Sequence, residues 1–247
     1  MIWIFGGTTE GKKCVEVLEH LRLPYVYSTK TKVKIELGKR GTYRFGAMTP
    51  NDMIRAFNEI GVTKVIDAAH PFALELHRNI FNVANILDVR LIRYEREYVS
   101  IEHTSVTYFD SIAEIVSALT TIDAKNVFVM TGVQNISKYI EAKIKSKLYY
   151  RIIDCQRSKL IAEQLGVAPS CLHLFPSKID VGEQELLMEQ LDIDIMITKE
   201  SGSSGFFEEK LQVASKLGIN LWVWKRPNLP SYDHLVTTNE KLLEQLI

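Results

Sequence analysis

The chain has no excess of either charge: 30 Lys and Arg stand against 30 Asp and Glu over 247 residues, and the formal net charge is zero. A balanced chain projects no field toward a polyanion, which argues against nucleic acid or an anionic membrane surface as a partner and favours a small ligand held in a local site. Cysteine is scarce. Cys14, Cys155 and Cys171 are odd in number and far apart, which speaks against a disulfide framework and fits reduced cytosolic thiols. No Cys/His spacing of the metal-binding kind occurs, so no metal is expected. Long apolar runs are missing too. None approaches the roughly 20 residues that a membrane-spanning helix needs, and the expectation is a soluble cytoplasmic protein, monomer or homodimer, with no membrane association.

What is present is a large apolar fraction, 46 %, enough to core one large α/β domain or two small ones. Residues 2–5 are all apolar and run into Gly6-Gly7-Thr8-Thr9-Glu10-Gly11, the pattern of a strand buried on both faces followed by a tight turn and a helix. A helix over residues 10–21 and a strand at 25–27 follow, the latter ending at Ser28-Thr29-Lys30. Val33, Ile35 and Leu37 alternate, Gly38 to Gly41 can turn, and residues 43–45 can return, which predicts a hairpin. Thr49-Pro50 starts a helix that Gly61 ends, residues 64–67 form a strand, a helix runs to about Leu87, and residues 89–93 form another strand.

A polar stretch at 94–105 reads as a crossing segment, after which the pattern restarts. Strands are expected at 106–109, 127–131, 148–153, 172–175, 193–198 and 221–224, with helices near 111–120, 135–144, 156–165, 182–191, 206–217 and 239–246. Strand and helix alternating at this length imply right-handed crossovers and parallel sheets. The predicted architecture is α/β: two Rossmann-like doubly wound domains, residues 1–94 and 95–247, with mostly parallel sheets and an interdomain cleft.

In open parallel sheets ligands bind outside the carboxyl ends of the strands, so three turns carry most of the functional information. The first, Gly6 to Gly11, offers backbone amides and the Thr8 and Thr9 hydroxyls to a phosphate at a helix start, although Thr8 stands where a Gly-x-Gly-x-x-Gly fingerprint would have its middle glycine. Ser28, Thr29 and Lys30 then replace the acidic residue that an NAD site presents to ribose, and hydroxyls with an ammonium suit a 2′-phosphate. The second turn, Asp67-Ala68-Ala69-His70-Pro71-Phe72-Ala73, puts one imidazole at a strand end, where it can move a proton near neutral pH. The third, Thr198-Lys199-Glu200-Ser201-Gly202-Ser203-Ser204-Gly205, combines a cation, hydroxyls and glycines as a second anion site, with Thr131-Gly132 as a neighbouring wall. Tyr139 and Lys143 match a Tyr-x-x-x-Lys pair, but a chain with 10 Tyr and this many Lys produces such a match by chance, and residues 126 and 127 lack the accompanying serine.

Together these turns resemble the precorrin-6A reductase family of corrin-ring (vitamin B12) biosynthesis. The resemblance rests on Gly6-Gly7-Thr8-Thr9-Glu10, on Asp67 to Ala73, on residues 91–96, and on Thr198-Lys199-Glu200-Ser201-Gly202 with Lys210. Residues 216–219 and Lys225-Arg226-Pro227 complete it. The chain departs from the family pattern at Ala69, where a hydroxyl is lost, and at residues 178–182, which lack Pro and Phe. The resemblance implies NAD(P)H-dependent reduction of one macrocycle double bond of precorrin-6A or its cobalt form, giving precorrin-6B, with NADPH as cofactor and NADH as the alternative. Under it, Gly6, Gly7, Thr8, Thr9, Ser28, Thr29, Lys30, Thr131, Gly132, Lys199, Ser201 and Gly202 hold the cofactor, His70 is the candidate catalytic acid, and Arg93, Arg96 and Arg151 meet the carboxylates of a tetrapyrrole-derived substrate. Another Rossmann-type reductase and a module that senses NADP(H) without chemistry are the competing readings.

Overall fold

A computed structural model describes residues 1–96, 105–175, 180–202 and 205–247. Most of the crossing segment expected at 94–105 falls outside the described residues, as do residues 178 and 179 of the departure at 178–182, and Ser203 and Ser204. The chain divides into two units, Met1–Glu97 with Pro227–Ile247, and Tyr98–Arg226.

The first unit opens with β1 (Ile2–Phe5), α1 (Thr9–His20), β2 (Tyr25–Thr29), β3 (Gly41–Phe45), α2 (Pro50–Ile60), β4 (Lys64–Asp67), α3 (Leu74–Ile86) and β5 (Arg90–Tyr94). All four residues of β1 are buried, as a strand covered on both faces requires. Helix α2 starts on a capping box in which Thr49 and Asp52 satisfy each other's amides, has Pro50 at its first position and stops at Gly61 in the left-handed region.

The second unit comprises β6 (Val106–Phe109), α4 (Ile112–Thr121), β7 (Asn126–Val129), α5 (Ile136–Ile140), β8 (Lys147–Ile153), α6 (Gln156–Gln164), β9 (Leu172–Phe175), α7 (Val181–Gln190), β10 (Ile195–Lys199), α8 (Phe207–Leu217) and β11 (Asn220–Trp224). The helix expected at 135–144 is shorter, a 3-10 turn at Val133–Asn135 leading into five α-helical residues.

The chain then re-enters the first unit as β12 (His234–Val236) and α9 (Asn239–Leu246). This corrects the expected 95–247 domain. Strand β12 pairs with β5, His234 opposite Ile92 and Val236 opposite Tyr94, while Val236, Leu242 and Leu246 enter the core that packs against Val15 and Leu18 of α1. Burial of that α1 face is the physical reason for the return.

Both sheets are wholly parallel: β12-β5-β4-β1-β2-β3 and β6-β11-β10-β7-β8-β9. The predicted hairpin at 33–46 does not form. Strand β3 runs parallel to β2, Tyr25 opposite Gly41 and Ser28 opposite Arg44, and residues 31–40 form an extended strap whose Ile35 and Leu37 pack on the α1 side of the core. Their alternation reflects half-burial rather than a ladder. Each sheet carries an apolar cluster on each face. Winding reverses between β1 and β4 in the first sheet and between β7 and β10 in the second, so each unit has its own switch-point crevice at the carboxyl ends of those strands.

Candidate functional sites at the two switch points

In the first crevice the glycines set shape. A Cβ on Gly6 would lie 2.3 Å from the Tyr27 ring, and one on Gly11 would lie 2.9 Å from the Gly6 Cα, so α1 packs flush on the turn. Gly7 sits at φ +93, a region that favours glycine. The Gly6 N–H donates to the Ser28 carbonyl at 2.9 Å and the Gly7 N–H to the Tyr27 hydroxyl at 2.8 Å, so neither faces a ligand. Thr8 caps α1, accepting from the Gly11 N–H at 3.0 Å and donating to the Ala68 carbonyl at 2.6 Å, which ties the first turn to the second. The Thr8 and Thr9 amides donate to no acceptor among the described residues. They stand at the positive end of α1, the position that suits a phosphate.

The second turn is held from beneath by Asp67, fully buried. Its carboxylate accepts from the Ala69 N–H (3.2 Å), Arg93 Nη1 (3.0 Å), His77 Nδ1 (2.6 Å) and the Tyr232 hydroxyl (2.8 Å). Burial pushes the Asp67 carboxyl up, but the His77 hydrogen bond and the Arg93 charge outweigh it and hold the group below the ordinary carboxylate range. The other His77 nitrogen lies 2.9 Å from the His70 carbonyl, so both ring nitrogens face acceptors. His70 itself projects outward, its Nδ1 accepting the Phe72 N–H at 3.2 Å.

Two expected substrate cations are structural here. Arg93 is 1 % exposed and bonds the Asp67 and Ala69 carbonyls, the Asp67 carboxylate and Glu95. Arg96, also buried, pairs with Glu10 of α1 at 2.8 Å. Both brace the turns from inside.

At the carboxyl end of β2, Ser28 and Thr29 are buried and Lys30 is exposed. Thr29 donates to the Thr31 carbonyl and shares a hydrogen bond with the Tyr43 hydroxyl. Arg44, on the neighbouring β3, donates from Nη1 to the Ser28 Oγ at 3.0 Å. Partial burial lowers its pKa, with Asp52 opposing, and it makes no ion pair among the described residues. Sequence reasoning missed Arg44, because only the parallel pairing of β2 with β3 brings it beside Ser28. It missed His77 as well, although the residue follows the helical period of Ile80 and Ala84 on the buried face of α3.

In the second crevice Gly132, at φ +88, faces Lys199, whose Nζ lies 3.9 Å from where a Gly132 Cβ would stand. Burial, with Lys138 adding to it, pushes the Lys199 amine down to about 8, and the ammonium sits 5.3 Å over the Trp224 ring. Ser201 donates its amide to the Lys199 carbonyl and its hydroxyl to Gly205, and Gly202 turns at φ +68. The structure thus brings Thr131, Gly132, Lys199, Ser201 and Gly202 to one strand-end crevice. Arg151 lies on β8, its guanidinium 4.7 Å over the Phe175 ring and its pKa lowered to about 10 by burial. Tyr139 is 1 % exposed with its hydroxyl toward Thr131, as a core tyrosine rather than half of a catalytic pair. No cluster of His, Cys, Asp or Glu able to hold a metal occurs among the described residues, nor any helix long and apolar enough to cross a membrane.

Two doubly wound units, each with a glycine turn and a helix start at its switch point, define a protein of Rossmann type. Within that class the chain belongs to the precorrin-6x reductase CbiJ/CobK family, whose model matches residues 1–246, and this makes it an oxidoreductase of cobalamin biosynthesis. It is 25 % identical to the cobalt-precorrin-6A reductase of Methanocaldococcus jannaschii, over 92 % of this chain and 90 % of that one. It is 24 % identical to the cobalt-precorrin-6A reductase of Priestia megaterium, over 100 % and 98 %. The solved structure of a CobK precorrin-6A reductase shares the fold, with a TM-score of 0.80 at 22 % identity over 99 % of this chain and 95 % of that one.

Proposed function

We propose that the chain uses NADPH to reduce one macrocycle double bond of cobalt-precorrin-6A, yielding the 6B form. The cobalt-bearing substrate is favoured because both relatives compared above carry that name. The observation that carries the cofactor choice is the carboxyl end of β2: no acid stands there for a ribose hydroxyl, and Arg44 holds the Ser28 Oγ at 3.0 Å with no carboxylate paired to its guanidinium among the described residues. Hydroxyl plus guanidinium fits a 2′-phosphate.

When bound, the nicotinamide supplies the hydride. The chain's own residues bind and orient. The Thr8 and Thr9 amides with the Thr9 hydroxyl take the pyrophosphate at the start of α1, and Ser28, Thr29, Lys30 and Arg44 surround the 2′-phosphate. Gly6 and Gly7 act by allowing the close turn. Lys199, Ser201 and Gly202, with Thr131 and Gly132 as a wall, meet further anionic groups of cofactor or substrate. To His70, outward on a turn fixed by Asp67 and His77, we assign the proton handed from Nε2 to the reduced bond, a step that requires the ring to be protonated at Nδ1 as well and so to have released the Phe72 N–H.

Arg44→Ala tests the cofactor assignment. It is expected to raise the KM for NADPH about tenfold, the loss of one charge-assisted contact, and to leave the KM for NADH where it was. Equal effects on both coenzymes would contradict it.

A further inference from the structure

The second unit holds a polar row that the crevice described above does not use. Phe128, Tyr149 and Met196 belong to the cluster on the face covered by α7 and α8, and side chains alternate along a strand. Met130, Arg151 and Thr198, each two residues further along, therefore project to that same face. Strand register then aligns them: Phe128 lies opposite Tyr149, Ile197 opposite Val129, and Arg151 opposite His173. Thr198, Met130, Arg151 and His173 form one row across β10, β7, β8 and β9, at their carboxyl ends. From the covering helices Gln184 reaches the row, its Nε2 3.8 Å from the Met130 Sδ, and Lys210 of α8 is 5 % exposed, with Nζ donating to the Gly205 carbonyl at 2.7 Å.

Three atoms of the row lack partners among the described residues: Thr198 Oγ1, Gln184 Oε1 and His173 Nε2 are buried without a hydrogen bond there, and Thr198 and Gln184 are wholly inaccessible. Arg151 meets the Phe175 ring and no carboxylate among the described residues. Lys210 is pushed down to about 7, first by burial and then by the Arg151 charge, with Glu209 opposing and Lys199 adding. Gathering two desolvated cations and several orphan polar atoms on one face is costly to the free protein. An anion between Arg151 and Lys210 reverses that cost, since guanidinium and ammonium both donate to a carboxylate; Thr198 and His173 stand at opposite ends of the row, three strands or about 14 Å apart, and each can meet a different anionic group. Arg151 and His173 are only half-buried, so the row is reachable from the β8–β9 side.

We infer that Arg151 and Lys210 form an anion pocket on the α7–α8 face of the second sheet, flanked along the row by Thr198 and His173, which takes a side-chain carboxylate of the corrinoid substrate. The identity of the ligand rests on the reductase reading above, whereas the pocket rests on geometry alone.

The test is equilibrium binding, without coenzyme, of a corrinoid bearing free carboxylates, of the same corrinoid fully esterified, and of inorganic phosphate, to the full chain and to Arg151→Gln, Lys210→Gln and Thr198→Val. Circular dichroism establishes that each variant is folded, and Arg151→Gln, altered at a half-buried position, keeps the test open if Lys210→Gln is not. The expected result is about tenfold weaker binding of the free acid to Arg151→Gln and Lys210→Gln, a smaller loss in Thr198→Val, weak and variant-independent binding of the ester, and unchanged NADPH affinity throughout. Binding of both the free acid and phosphate equal to wild type in both cation variants overturns the pocket. Loss of phosphate binding in those variants with corrinoid binding intact overturns the carboxylate assignment in favour of a phosphate. If the wild type binds the free acid through these residues but oxidises no NADPH, the pocket stands and the reductase reading fails.

Discussion

The two switch-point crevices share a topology and differ in how they treat charge. In the first unit buried ions are matched inside the protein: Asp67 with His77, Arg93 and Tyr232, and Glu10 with Arg96. What remains for a ligand is oriented amides at α1 and the Arg44–Ser28 pair. In the second unit Arg151 and Lys210 are desolvated without a matching carboxylate among the described residues, and Lys199 is partly so. One crevice is preorganised in shape and the other in charge. This is the division expected when a coenzyme with a fixed outline must meet a substrate rich in carboxylates.

The largest way to break that contrast is Asp67→Ala. It strips His77 and Arg93 of their shared anion, and removing one partner of a buried ion pair costs about 3–5 kcal/mol. Denaturant unfolding of the first unit is expected to show that loss; a change under 1 kcal/mol would mean that the network is not what holds the turn. Next comes His70→Ala. If the outward imidazole on that turn donates the proton, kcat falls about a hundredfold, the usual contribution of a general acid, with KM for NADPH unchanged; unaltered turnover assigns the proton to solvent or to the substrate.

The smallest effect concerns pH and separates the two units by window, since stability rises with pH in both but over the acid range in the first and above neutrality in the second. Asp67 has its folded pKa lowered, so its stabilisation is present above the unfolded carboxylate value and is lost as pH falls through the folded one. Lys210 is lowered to about 7 from 10.5. Between those values the unfolded chain binds the extra proton, so stability of the free protein rises with pH at up to about 1.4 kcal/mol per unit. Melting of the second unit is expected to strengthen from pH 7 to 9 in the wild type and to strengthen less in Lys210→Met, where only Lys199, lowered to about 8, still contributes. The same slope in both proteins would remove Lys210 from the charge-loaded side of the comparison.

Much of the site was legible because its signals are local. Apolar strands running into Gly6-Gly7-Thr8, into Asp67 to His70 and into Lys199 to Gly202 mark crevice positions within a dozen residues each, and the parallel topology follows from their spacing. The roles of the cations were not legible, since they depend on pairing across the fold. Arg93 becomes a brace because β4 and β5 place it opposite Asp67, and Arg44 reaches Ser28 only through a parallel β3. Tyr232 reaches Asp67 from 165 residues away, after the chain has returned to the first unit. That return was hidden because β12 has three residues, of which only Val236 is buried.

The most direct measurement is anaerobic oxidation of NADPH by the purified chain in the presence of cobalt-precorrin-6A and, separately, of the metal-free macrocycle. The account predicts oxidation that matches the substrate mole for mole, with the 6B form as product and the cobalt-bearing macrocycle preferred. No oxidation of NADPH with either macrocycle would contradict it.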